Sequence, residues 1–312
     1  MIRRRSISPA DSIEEIASVI ERLAVLIGAG VAPRTAWVHV GERTANLVVA
    51  RAAEAALDGR SVGAAIAHAC DGAEPRAAEA WRAVAASWAV AAECGSPLAA
   101  SLREMAEAFR AIGQTQREME AARAGPRATA RLVTFLPLVG VFFGALMGFD
   151  TLGTLFRTVP GWVCIAVGGA LMSAGARWNQ ALIARAQPRV AAPGVAIDLM
   201  IIALSGGSSV DRARAIVQAQ IDRYRLSETE ADAASVASVV ALASAAGAPA
   251  ADLLRSEASM LRRRARLDGQ AASAVLAVRL MIPLALCFLP AFLVLGVMPV
   301  VIAVLSSTVS AL

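Results

Sequence analysis

The chain has 312 residues, 57% of them hydrophobic, and a mean hydropathy of +0.59, which exceeds what the core of one water-soluble domain requires. Its net charge of +5 is carried by arginine alone. With no lysine to reach a phosphate, a Walker-type nucleotide site is excluded.

Residues 1–11 read as a short basic arm. Asp11, Glu14 and Glu15 stand where the apolar core of an export signal would lie, so none is expected. Ser12 with Glu15 reads as a capping box for a first helix, along which Ile13, Ile16, Ile20, Leu23 and Ile27 recur every three or four positions. Gly28-Ala29-Gly30 closes that helix and Pro33 opens the next, a helix–turn–helix junction. Asp58-Gly59-Arg60-Ser61-Val62 reads as a second turn and Glu93-Cys94-Gly95-Ser96-Pro97 as a third. Between them Trp81, Val84 and Trp88 share one helix face, as core residues do. A further amphipathic helix passes through Leu98, Leu102, Met105 and Phe109 and leads, past polar residues 114–123, to Gly125-Pro126.

Three stretches carry no charge: Leu132 to Phe149, Thr158 to Ala176, and Leu280 to Leu312. About 20 helical residues cross a hydrocarbon core of roughly 30 Å, so transmembrane helices are expected at 131–149, 158–178 and 275–305. A short exoplasmic connector then occupies 150–157 and an exoplasmic tail 306–312. The last stretch exceeds one crossing, yet two crossings and a turn need roughly 40 residues, which favours a single tilted span and leaves a hairpin as the alternative. Arg123, Arg127 and Arg131, then Arg177, Arg185 and Arg189, then Arg262 to Arg266 and Arg279 flank the spans on one side, whereas the connector offers only Arg157 against Asp150. By the positive-inside rule the amino terminus and both polar segments face the cytosol and the carboxyl terminus faces outward. The run Arg262-Arg263-Arg264-Ala265-Arg266 fits anionic membrane lipid. No aromatic residues are interleaved with it for stacking on bases, so nucleic acid is not an expected partner.

The second polar segment, 190–274, repeats the first, 12–130, in shortened form. Ile20-Glu21 through Gly30 recurs as Ile197-Asp198 through Gly207, and Glu93 to Leu102 is echoed by Ala245 to Leu254, with Gly247 and Pro249 in the places of Gly95 and Pro97. The turn at Gly59 has no clear counterpart. The expected fold is all-α: a polytopic membrane protein with two cytosolic antiparallel helical bundles and about three transmembrane helices.

Chemistry is sparse. His39 and His68 lie far apart with no carboxylate at metal-ligand spacing, and Cys70, Cys94, Cys164 and Cys287 form no close pair. Ser205, Ser208 and Ser209 flank Gly206-Gly207, but a nucleophile elbow needs a strand before the turn, not a helix. No catalytic, cofactor or metal site is therefore expected. Glu21, Glu93, Asp198 and Asp252 fall at or near equivalent repeat positions, as shared salt bridges or partner contacts would. The spans hold ionisable residues only at their edges, which weighs against a solute transporter.

The glycine-turn motif (Leu23 to Ala36, with Gly30 and Pro33), the Asp58 to Ile66 element and the Glu93 to Leu98 element resemble the three successive landmarks of the type II secretion F domain. Within that family, Arg131, Leu136-Pro137 and the stretch from Gly148 through Trp162 to Trp178 look like TadB. Leu261-Arg262-Arg263-Arg264, Arg279 to Pro283, and Phe288-Leu289-Pro290 look like the end of TadC. The resemblance implies a non-catalytic inner-membrane platform of a Tad (Flp-type) pilus or a related secretion machine. Its implied partners are a hexameric cytosolic ATPase, pilin subunits and further copies of itself.

Overall fold

The computed structural model describes residues 9–146, 153, 156–185, 194–227 and 230–309. Among these residues every regular element is helical and no strand occurs. Helix α1 (Pro9–Gly28) starts earlier than its apolar pattern suggests. The helix is described from Pro9 onward, so Ser12 lies inside it and does not cap it. Glu15, the other half of the expected capping box, accepts a hydrogen bond from Asn46 Nδ2 at 3.0 Å.

Helices α2 (Pro33–Gly41), α3 (Leu47–Leu57), α4 (Val62–Ala69) and α5 (Pro75–Cys94) follow, with a 3-10 turn at Cys70–Gly72. Side chains satisfy the exposed donors at three of these helix starts: Asn46 accepts from the Val48 and Val49 amides, Ser61 from Ala64 and Glu74 from Ala77. The long α6 (Leu98–Leu146) continues through Gly125 and Pro126. Then come α7 (Val159–Arg185), α8 (Val195–Ser205), α9 (Val210–Tyr224), α10 (Glu230–Ala246) and α11 (Ala250–Arg279). The last stretch comprises α12 (Met281–Pro283), a π-helical turn (Leu284–Phe288), α13 (Leu289–Phe292), a second π-helical turn (Leu293–Val297) and α14 (Met298–Val309).

The chain forms two compact units. The first joins Met1–Arg117 to Pro188–Gly269, so both polar segments belong to it apart from residues 118–130 and 270–274. They share one core, in which Leu23, Trp37, Val84 and Phe109 from the first segment join Ile197, Leu199, Ile202 and Leu254 from the second. Two separate bundles over 12–130 and 190–274 are thus replaced by a single packed body. The reason lies in α8, where Val195 to Ala203 are buried apart from the partly covered Asp198. A helix apolar on all sides needs neighbours all round, and α8 finds them in α5, α9 and α10. Trp37 and Trp88 meet edge to face within this core, their ring centroids 5.6 Å apart.

The second unit, Glu118–Gln187 with Gln270–Leu312, packs α7 along the helical stretch 281–309. Gly161, Gly168 and Gly175 recur every seventh residue on the buried face of α7. A Cβ at Gly175 would lie 2.9 Å from Cys287 Cβ, and one at Gly168 would lie 2.7 Å from Leu295 Cδ1, so only glycine allows this approach. The two π-helical turns immediately precede the turns containing Pro290 and Pro299. Each proline lacks an amide donor and its ring crowds the carbonyl four residues back, which widens the helix locally.

Two helical stretches, Val159–Ala184 and Ala250–Ile302, are long and apolar enough to cross a membrane. Their large apolar side chains, among them Trp162, Val163, Val167, Leu286, Leu289 and Leu293, face outward, which fits a membrane protein. The helical path from Met281 to Val309 contains no loop and hence no hairpin. The predicted span 131–149 lies outside the described residues beyond Leu146, and its described side chains are the exposed Phe142 and Leu146. Most of the connector 150–157 and the end of the tail 306–312 also lie outside the described residues, as does the arm before Pro9.

Candidate functional site

The turn glycines and prolines of the two polar segments lie at helix junctions of the first unit. Gly30, Gly59, Gly95, Gly207 and Gly247 all adopt left-handed backbone, with φ from +61° to +90°. These turns close helices in matched ways. The Ser96 amide bonds to Ala91 O at 3.1 Å, and Ala248, placed 152 residues later, bonds to Ala243 O at 3.0 Å. Pro33 opens α2 and Val210, 177 residues later, opens α9. Pro97 and Pro249 immediately precede α6 and α11. Leu102 and Leu254 are both fully buried, as are Ala36 and Ala213.

The four carboxylates engage within the chain. Glu21 on α1 pairs with Arg110 on α6. Asp198 on α8 pairs with Arg262 on α11 at 2.8 Å. Arg110 and Arg262 each lie 13 residues beyond their turn prolines, Pro97 and Pro249, so the two pairs occupy matching positions. Their surroundings differ. Glu21 and Arg110 are 42% and 44% exposed, whereas Asp198 and Arg262 are 14% and 19% exposed. Burial pushes the Asp198 carboxyl above its ordinary range, and Arg262 opposes that shift only in part. Glu93 accepts from Gln220 Nε2 at 3.3 Å, and Asp252 pairs with Arg255 one helical turn on, at 2.6 Å. Arg255 also donates to Ser205 Oγ at 3.2 Å, tying the Gly206-Gly207 turn to α11.

The first segment meets the second most closely where Ser96 donates to Ile202 O at 2.5 Å. Beside it Gly206 faces Cys94 O and Ser96 Oγ, leaving no room for a side chain. A second close approach brings Tyr224, at the end of α9, against Gly63 of α4, and burial raises the Tyr224 phenol above its usual value. Sequence reasoning missed the contacts of Arg110, Arg262, Gly206 and Gly63, having given Arg262 only to the lipid-facing basic run and Gly206 only to a turn. The arginines were signalled by their common distance from the turn prolines. Gly206 and Gly63 depend on contacts more than 100 residues away along the chain and carried no local signal.

Among the described residues, no three His, Cys, Asp or Glu side chains gather as metal ligands would. A groove of about 580 Å³ is lined by Arg34, Arg60, Trp88, Ser96 and Leu98, but its arginines are engaged, Arg34 with Gly59 O and Arg60 with Asp58. His39 and His68 are exposed, and His39 lies 3.7 Å from Glu42. Burial raises the Cys70 thiol, the opposite of what a nucleophile needs. Arg263 and Arg264 are exposed on α11, while Arg279, Pro283 and Pro290 lie in the apolar carboxyl-terminal stretch.

Residues 19–145 match the family described as Type II secretion system (T2SS), protein F. The match spans α1 to α6 and ends before α7. No curated protein and no solved structure shows a significant match to the chain.

Proposed function

We propose that this protein is a non-catalytic inner-membrane platform that couples a cytosolic secretion ATPase to filament assembly. The observation that carries the reading is the match of residues 19–145 to the protein F family, on a chain that also holds two exposed apolar helices of membrane-spanning length. In this reading the chain crosses the bilayer three times, at 131–149, 158–178 and 275–305. Its amino terminus is cytosolic and its carboxyl terminus exoplasmic, as the arginine distribution favours.

The second segment is a shortened copy of the first F-type domain. Supporting this are the matched left-handed turns at Gly30 and Gly207 and at Gly95 and Gly247, and the matched ion pairs Glu21–Arg110 and Asp198–Arg262. α3 and α4 have no counterpart in the second copy. The TadB-like order of the first half and the TadC-like end of the second favour a Tad (Flp-type) pilus, with small pilins as cargo and the exposed faces of the spans as the surface for pilin, lipid or further copies of the chain.

The test is mild crosslinking in intact membranes, purification of the chain, and mass spectrometry of what accompanies it. Recovery of a hexameric ATPase crosslinked to 12–128 or 190–272, together with small pilins, is the expected result. Pseudopilins in place of pilins would move the assignment to a type II secretion platform. Recovery of neither, from cells assembling the filament, would overturn the platform reading.

A further inference from the structure

The long helices α6 and α11 touch at residues that are equivalents of one another. Pro97 and Pro249, Gly95 and Gly247, and Arg110 and Arg262 all stand 152 residues apart. Arg266 Nη2 donates to Gln114 Oε1 at 3.5 Å, and Gln270 Nε2 donates to Glu118 Oε2 at 3.3 Å. Each of these contacts also joins residues 152 apart, and the second lies one helical turn beyond the first on both helices. A constant difference means parallel helices, since in an antiparallel pair the sum of the residue numbers stays constant. Contact between equivalents means that α6 and α11 meet about a local twofold axis. Between these two contacts, Gly269 gives Thr115 the space to approach, its Cβ position lying 2.7 Å from Thr115 Cγ2.

The chemistry along this seam is divided between the copies. The first copy contributes Glu104, Gln114 and Glu118, and the second contributes Arg255, Arg266 and Gln270. Glu104 faces Arg255 at 3.6 Å. On a twofold seam between two identical first copies, Glu118 would oppose Glu118. Between two second copies, Arg266 would oppose Arg266. Like charges on such an axis disfavour both arrangements, whereas the mixed pairing places each charge against an amide or an opposite charge.

We propose that the chain is an internal dimer, whose first copy takes its own second copy as the partner along α6 and α11 and rejects a like copy from another chain. The proposal rests on the duplication reading given above. It assigns Gln114, Glu118, Arg266 and Gln270 to pairing specificity and directs any association between chains to other surfaces.

The test uses the full chain in native membranes, with cysteines introduced in separate variants: Glu118→Cys alone, Gln270→Cys alone, Glu118→Cys with Gln270→Cys, and Glu118→Cys with Arg266→Cys as a register control. After mild oxidation, peptide mass spectrometry identifies the links and a non-reducing gel separates intrachain from interchain products. The unaltered chain, with native Cys70, Cys94, Cys164 and Cys287, sets the background. The 118/270 pair is expected to link within one chain, in about tenfold or greater excess over any interchain product, because the partner is held at high effective concentration. An interchain 118–118 link in the single variant would leave the duplication standing and overturn the internal dimer. A 118–266 link in place of 118–270 would break the 152-residue equivalence, and the duplication with it. Absence of any link at 118/270 would also overturn the proposal. None of these outcomes depends on whether an ATPase or pilin binds.

Discussion

Replacement of Gly206 by alanine isolates the contact that joins the two segments. Gly206 has φ of −82°, so alanine meets no backbone strain there. The smaller unfolded-state entropy alone would stabilise the variant by about 0.4–1 kcal/mol. Against this, the new methyl group would be placed 2.5 Å from Ser96 Oγ and also against the carbonyl oxygen of Cys94. The hydroxyl is held by its bond to Ile202 O, and the carbonyl belongs to backbone at a helix end, so neither can simply rotate away. Overpacking of this kind costs about 1–3 kcal/mol, leaving a net loss of about 1.3 kcal/mol at the middle of the two ranges. For a unit of this size the melting temperature should fall by roughly 3–5 °C. The assay is thermal unfolding of the purified chain in nanodiscs, followed by tryptophan fluorescence, since Trp37, Trp81 and Trp88 report on this unit's core. Gly207→Asn serves as the control. Gly207 has open space around it and needs only left-handed backbone, which asparagine tolerates better than other side chains. A Gly206→Ala variant as stable as the parent would refute the argument that this contact is tight.

The two ion pairs should respond differently to loss of their arginines. Arg110→Ala, which breaks an exposed pair, should cost about 0–1 kcal/mol, and Arg262→Ala, which strands a largely covered carboxylate, roughly 1.5–3 kcal/mol. Denaturant unfolding measures both, and equal losses would contradict the burial difference. Because burial raises the Asp198 carboxyl above 3.8, the folded unit holds that proton more tightly than the unfolded chain does. The associated stabilisation is complete below that value and is lost as pH rises through the raised folded value. Asp198→Asn should therefore gain stability relative to the parent as pH is raised from 4 through the folded pKa, and melting curves of both chains show the gap moving in the variant's favour. A gap moving in the parent's favour would mean that Arg262 outweighs burial. In the second unit, Gly175→Val would force a side chain against Cys287 and Phe288 and should weaken the packing of α7 by about 1–3 kcal/mol. Unfolding in graded sodium dodecyl sulfate reads that loss, and unchanged resistance would show that the two stretches separate at little cost.

Much of this architecture was legible in the sequence because it rests on local rules. Helical periodicity, turn glycines with left-handed backbone and long uncharged stretches need no knowledge of distant neighbours. Gly30, Gly59, Gly95, Gly207 and Gly247 were recognisable as turns for that reason, and so was α7 as an apolar helix of spanning length. The start of α1 was misread: Ser12 lies inside the helix, and Glu15 accepts from Asn46 instead of closing a capping box.

What the sequence by itself determined was therefore the kind of element at each place: helix, turn or apolar span. Tertiary structure alone decided which elements share a core. The recurrence of motifs suggested two separate bundles. α8, apolar from Val195 to Ala203 except at Asp198, is buried against α5 of the first segment as well as α9 and α10. The partners of Glu21 and Asp198, and the closeness of Gly206 to Cys94, were fixed in the same way. Such contacts arise from packing between residues far apart along the chain, and no local pattern encodes the distance between them.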